Sequence, residues 1–219
     1  MKKALILQGG WEGHQPAAFA GLYAAMLGEL GVEAEAFDAL EPLHDPDLLA
    51  RHDLIVPCWS FGDLDEKASE NLEAVVRGGT GLAGAHGGMA DAFRGDKRYQ
   101  FIVGGQFIAH QPKAWEYTVR IARPDDPIVA GFDDFPYTSE QYYMHVDPAN
   151  EVLADCVFQT AGQDWAPWTD GVVMPVVWKR NYGQGRVFYS ALGHAPEEYH
   201  RHPSARELLK RGFAWALGD

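Results

Sequence analysis

The sequence predicts an α/β fold, a mostly parallel sheet covered by helices, with an antiparallel extension in the C-terminal half. Two observations predict it. Up to about residue 85, short apolar runs alternate with helix-like stretches, and most of the apolar runs end in glycine or polar turns. Such alternation builds βαβ units, which require parallel strands. Beyond residue 115 the strand-like runs follow one another with glycine-rich turns and no helix between them, which is the habit of antiparallel strands.

Residues 4–7 (Ala-Leu-Ile-Leu) are wholly apolar and stop at Gly9-Gly10, as a buried parallel strand would. A helix is expected over 16–30, with Pro16 in its first turn and Gly31 at its end. Strands are expected over 32–37 and 54–57. Asp63 is read as the cap of a helix reaching Arg77, with Glu66 as its capping-box partner and Ala68, Leu72, Val75 and Val76 as its apolar stripe. Gly78-Gly79 end it, and a strand is expected over 80–83. Further strands are expected over 117–121, 151–154, 172–179 and 186–192, the last two joined by a glycine-rich loop over 181–185. A final helix over 204–217 carries Ala205, Leu208, Leu209, Phe213 and Ala216 on one face. No linker-like segment divides the 219 residues, so 1–219 is read as one domain.

Charge narrows the partners. Lys and Arg number 18 against 31 Asp and Glu, a net charge of −13. A nucleic-acid or anionic-membrane partner needs clustered cations, and only pairs such as Lys2-Lys3 and Lys179-Arg180 occur, so neither is expected. Two cysteines, Cys58 and Cys156, make no disulfide framework. The apolar run after Met1-Lys2-Lys3 is too short for a secretion signal or a membrane span, so a cytoplasmic location is expected.

In an open α/β sheet, ligands bind beyond the carboxyl ends of the strands. That rule selects Gln8-Gly9-Gly10-Trp11-Glu12-Gly13-His14, Cys58-Trp59-Ser60-Phe61 and Gly84-Ala85-His86-Gly87-Gly88. The last has the form of a nucleophile elbow, Gly-x-Ser-x-Gly between a strand and a short helix expected over 89–93. Its central residue is His86. Histidine is a poor acyl acceptor but a good acid, base or metal ligand, so the elbow speaks against serine or cysteine hydrolysis.

Taken in order, Gly84-Ala85-His86-Gly87-Gly88, Val103-Gly104-Gly105-Gln106-Phe107-Ile108-Ala109-His110, Ser139-Glu140-Gln141-Tyr142, and the stretch from Pro175-Val176-Val177-Trp178 through Tyr182-Gly183-Gln184-Gly185 to Gly193-His194 resemble the ThuA-like (trehalose utilisation) family. The resemblance spans nearly the whole chain. It implies a flavodoxin-like three-layer sandwich related to class I glutamine amidotransferases, with the amidotransferase cysteine replaced. It also implies a role in sugar utilisation, near the oxidation of disaccharides to keto-sugars.

Histidines dominate the candidate chemistry. His14, His86, His110 and His194 each fall in a loop after a glycine or a strand end, whereas His44, His52, His200 and His202 read as surface residues. Glu140, among Tyr137, Tyr142 and Tyr143, is the best carboxylate; partial burial there is expected to raise its pKa towards a general-base range. His86, Glu140, His194 and His110 are therefore the catalytic candidates. Gly9, Gly10, Trp11, His14, Trp59, Gly87, Gly88, Gln106, Tyr142 and His145 are the substrate-binding candidates. Trp11, Trp59, Phe61, Trp115, Tyr142, Tyr143, Trp165 and Trp168 could offer flat faces to the C–H side of a sugar or to a subunit interface, and a homo-oligomer is expected. Cys58 reads as a packed thiol.

Three functions remain open. One is acid–base isomerisation, epimerisation or elimination on a sugar or keto-sugar. Another gives His86, His110, Glu140 and His194 a divalent metal, zinc or manganese. The third is a non-catalytic binding or assembly module.

Overall fold

The computed structural model describes residues 1–160 and 166–218. The chain runs β1 (Lys3–Gly10), α1 (Pro16–Glu29), β2 (Glu33–Phe37), α2 (Pro46–Ala50), β3 (Leu54–Ser60), α3 (Glu66–Gly78), β4 (Gly81–Ala85), α4 (Gly87–Ala90), α5 (Lys97–Val103), β5 (Gly105–Ala109), β6 (Trp115–Ile121), β7 (Phe135–Ser139), β8 (Tyr143–Val146), β9 (Glu151–Val157), β10 (Val173–Tyr182), β11 (Gly185–Ser190), α6 (Pro196–Arg201) and α7 (Pro203–Ala216). A nine-stranded sheet has the order β2-β1-β3-β4-β11-β10-β9-β6-β7, and β5 pairs with β8 in a separate ribbon. From β2 to β11 the neighbours are parallel; from β11 to β7 they are antiparallel. Helices α1 and α7 pack on one face of the sheet and α3 and α5 on the other.

Local chemistry accounts for the elements. The parallel strands β3 and β4 are buried almost throughout, because helices cover both faces of the sheet, and their sequences are correspondingly apolar without alternation. Edge strand β2 is mostly exposed, which accommodates Glu33 and Glu35. The Asp65 carboxylate, not that of Asp63, caps α3 by accepting the Ala68 N–H at 2.9 Å. The hairpin between β10 and β11 is tighter than its sequence suggests. Tyr182 pairs with Gly185, leaving a two-residue turn in which Gly183 takes φ +62°.

Several elements lack a strong sequence signal. Strand β7 contains Pro136, which a sheet tolerates here because β7 lies at the edge. Strands β5 and β8 are short, and α2, α5 and α6 are no longer than seven residues. His52 is buried rather than surface-lying, because the turn before β3 tucks it in. Its Nδ1 lies 2.9 Å from the Leu48 carbonyl oxygen and its Nε2 3.6 Å from Glu35.

Candidate functional site

The carboxyl ends of β1, β3, β4 and β11 open on one edge of the sheet, and their loops carry the site. His86 follows β4 directly with φ +49° and ψ −144°. Its N–H donates to the Ser190 carbonyl at 2.7 Å, which ties the elbow to β11. His14 ends a single 3-10 turn after β1, and its Nδ1 lies 2.6 Å from Ser60 Oγ at the end of β3. A Cβ on Gly87 would stand 2.2 Å from His14 Cε1, so only glycine lets the two loops meet. His194 follows Gly193 after β11, and its N–H donates to Glu198 Oε2 at 3.1 Å. Glu140 follows β7.

Among the described residues, four non-glycine residues have left-handed backbones: Gln15, Phe61, His86 and Phe93. Gln15 and His86 belong to the loops just described. Phe61 follows β3, and Phe93 is bound to it by a Phe93 N–H to Phe61 carbonyl bond of 3.2 Å; the Phe61 N–H donates to Asp91. Each such residue costs about 1–3 kcal/mol, and strain of this kind gathers at functional sites.

Ligand atoms of His14, His86, Glu140 and His194 all lie within 4.8 Å of one another. Glu140 is the hub. Its Oε2 lies 3.2 Å from His86 Nε2 and 3.3 Å from His194 Nδ1, and its Oε1 lies 3.5 Å from His110 Nε2. His86 Nδ1 faces the Ala191 carbonyl oxygen at 3.0 Å, an acceptor only, so that nitrogen holds a proton. Its Nε2 then meets a carboxylate, and a second proton or a cation must separate the two. His194 Nδ1 is buried and, despite its distance from Glu140, has no aligned hydrogen-bond partner; we read the contact as an ion pair. With His14 Nδ1 engaged by Ser60, Nε2 is the nitrogen that remains for a ligand.

These contacts set the protonation states. Burial by itself would raise the Glu140 pKa, but His194 and His86 together hold it well below the usual carboxylate range. This corrects the sequence-based expectation of a raised value: burial was legible, the converging histidines were not. Burial first, then the charges of His86 and His194, push His14 down to about 3. Contact with Glu140 raises His194 against the opposing effect of burial. Burial pushes Cys58 up to about 12, and its thiol donates to the Pro16 carbonyl, as a packed, inert cysteine would.

The sign of the pH dependence follows for the metal-free protein. An unfolded His14 takes a proton near pH 6.5 and the folded one only near 3, so between these values the unfolded chain binds more protons and acid favours unfolding. Glu140, held low, contributes stability above its unfolded pKa near 4.5 that is lost as pH falls further. His194 works the other way, its contribution fading as pH rises through its raised value. In chelator-treated protein, Tm is expected to fall as pH drops from 6.5 to 4, and H14N to flatten that slope. An unchanged slope in H14N overturns the assignment.

The other candidates divide. Tyr142 stacks on His86 with ring centroids 3.9 Å apart, and Phe107 lies against Tyr142 at 4.3 Å. Trp11 contacts the His14 ring at 4.8 Å and Phe61 at 5.8 Å. His110 stands beyond Glu140, outside the four-ligand group, and His14 takes the place the sequence reading gave it. Gly9 and Gly10 serve close backbone approach, Gly9 beneath the Trp59 ring and Gly10 beside the Ser60 backbone, and Gly88 lies against the Cys58 backbone. Gln106 and His145 form a cross-strand pair in the β5–β8 ribbon, apart from the cluster. Trp115 and Trp168 are exposed, Trp115 with its Nε1 donating to Gln159; Trp165 lies outside the described residues. Ser60 lies in a loop the strand-end rule selects, whereas Asp91 and Glu198 carry no signal in the sequence. Glu198, four residues after His194, accepts from Tyr137 and Ser139 hydroxyls at 2.8 and 3.0 Å as well as from the His194 N–H.

The fold and the elbow define the class: an α/β protein with a mostly parallel central sheet, helices on both faces and a histidine at the turn that follows β4. The chain belongs to the ThuA family, described as trehalose utilisation, whose model matches residues 3–216. A ThuA-like protein from Parabacteroides merdae superposes with a TM-score of 0.80 at 18% identity, covering 99% of this chain and 90% of the other. One from Bacteroides uniformis gives 0.76 at 18% identity, covering 98% and 91%. A cytoplasmic protein of Salmonella typhimurium gives 0.67 at 15% identity, covering 100% and 98%. At these identities the likeness is one of fold. No curated protein matches the chain. Among the described residues, no helix is long and apolar enough to cross a membrane.

Proposed function

We propose that this chain is a metal-dependent enzyme acting on a sugar or keto-sugar, with His14, His86, His194 and Glu140 holding a divalent zinc or manganese ion. The observation that carries the metal is the hub. Two histidine nitrogens stand 3.2 and 3.3 Å from one carboxylate oxygen, and the buried His194 Nδ1 has no hydrogen-bond donor or acceptor aligned with it. Ligands on a tetrahedral zinc with bonds of about 2.0–2.1 Å lie roughly 3.3 Å apart, so the spacing suits such an ion. The contacts of His86 with a backbone carbonyl and of His14 with a serine hydroxyl are the outer-shell partners that fix ligating imidazoles. The convergence of His86, Glu140 and His194 speaks against a non-catalytic module.

A bound cation would polarise a substrate carbonyl, making the adjacent C–H acidic. The chain's own base is His110. Its Nδ1 meets the Gln111 carbonyl oxygen and its Nε2 faces Glu140 Oε1 at 3.5 Å, so the carboxylate stabilises the imidazolium once the proton arrives. Trp11, 47% exposed beside His14, supplies a flat wall for the sugar's C–H face, while the buried Tyr142 stacks on His86 and holds that ring in place. That chemistry serves isomerisation, epimerisation or elimination, in a cytoplasmic setting, on a small-molecule substrate.

Elemental analysis of untagged protein, followed by incubation with 3-keto-disaccharides in deuterated water, tests the proposal. About one divalent ion per chain and metal-dependent deuterium incorporation beside the carbonyl are expected. Metal content well below one per chain, or incorporation that survives chelation, counts against the metal; no exchange with any keto-sugar sinks the chemistry.

A further inference from the structure

We infer that the cavity outside the β5–β8 ribbon is a second subsite, which takes the distal ring of a two-ring glycoside whose reacting ring sits at the histidine cluster. The inference rests on the proposed sugar substrate. The cavity measures about 470 Å³, within the range of small-molecule sites. Strand alternation divides the ribbon. Phe107 and Met144 pair across it and face inward, Phe107 onto Tyr142, whereas Gln106 and His145 pair on the adjacent positions and line the cavity. Phe101 lines it as well, with 63% of its surface exposed.

Arg94 joins the two places. Its Nε donates to the buried Asp91 at 2.5 Å, and its guanidinium lies 5.6 Å from the Phe61 ring centre and 5.5 Å from that of Phe107. Phe61 touches Trp11 beside His14, and Phe107 touches Tyr142 beside His86, so a chain of ring contacts links Arg94, which lines the cavity, to His14 and His86 of the cluster. The cavity's carboxylate, Asp147, is bound to Arg180 at 3.0 Å. Arg94, Lys97, Gln106 and His145 remain as hydrogen-bonding groups for hydroxyl oxygens, and the exposed Phe101 ring as the platform for a sugar's apolar face.

Calorimetry with trehalose and with methyl α-glucoside tests this without turnover. Wild-type protein is expected to bind the two-ring ligand at least tenfold more tightly. F101A and Q106A should each reduce that preference to about threefold or less, with one-ring affinity and molecular mass unchanged. Wild-type protein without a two-ring preference, variants that keep it, or an F101A protein of altered oligomeric mass would overturn the subsite, the last marking the face as a self-interface. A protein that prefers two rings yet catalyses nothing sinks the enzymatic reading alone, and an active one without the preference sinks the subsite alone.

Discussion

E140Q is expected to lower turnover at least about a hundredfold and to abolish the proposed binding of a divalent metal while leaving the fold in place. The substitution preserves shape and removes one charge. That charge faces three histidines at 3.2, 3.3 and 3.5 Å, so its loss affects every imidazole that meets it. His194 loses the contact that raises its pKa, and His110 loses the group that would stabilise its imidazolium. Elemental analysis, thermal melting and turnover on the same preparation check the result. Full metal content and activity in a folded E140Q protein would remove Glu140 from the site.

W178A is expected to destabilise the protein by about 3–5 kcal/mol, a large part of the 5–15 kcal/mol typical of a whole domain. Trp178 is among the largest fully buried side chains. Its ring lies 4.3 Å from that of Tyr189, and Nε1 donates to the Val103 carbonyl at 2.9 Å. It also fills the space beside Gly105, where a Cβ would stand 2.6 Å from the ring. Trp178 thus supports the start of β5, the strand that carries Phe107 and leads to His110. W178F keeps most of the volume and loses the hydrogen bond, so a smaller cost of about 1–3 kcal/mol is expected. Urea denaturation of both variants measures this, and a cost below about 1 kcal/mol for W178A would contradict the packing described.

Legibility in the sequence followed the range of the forces involved. Strands β1, β3 and β4 and helices α1 and α7 declare themselves through contiguous apolar runs, caps and glycine stops. Strands β5, β7 and β8 do not, because their burial comes from partners elsewhere in the chain: Pro136 looks like a break until β7 proves to be an edge, and β5 is held in place by Trp178. The cap of α3 slid from Asp63 to Asp65 for a related reason, since both carboxylates precede the helix and only backbone geometry chooses between them.

The site divides in the same way. The amino-acid sequence by itself determined the α/β architecture, the family and the elbow that sets His86 rather than cysteine after β4, because strand, turn and glycine preferences act over a few residues. Only the tertiary structure decided which histidines meet. His86 and Glu140 are 54 positions apart, and His14 and Ser60 are 46 apart. The contacts between them come from the order in which strands are laid in the sheet. For the same reason the sequence could suggest that Glu140 is buried but not that its carboxylate is stabilised: desolvation and opposing charge are sums over spatial neighbours, and here the histidines outweigh the burial.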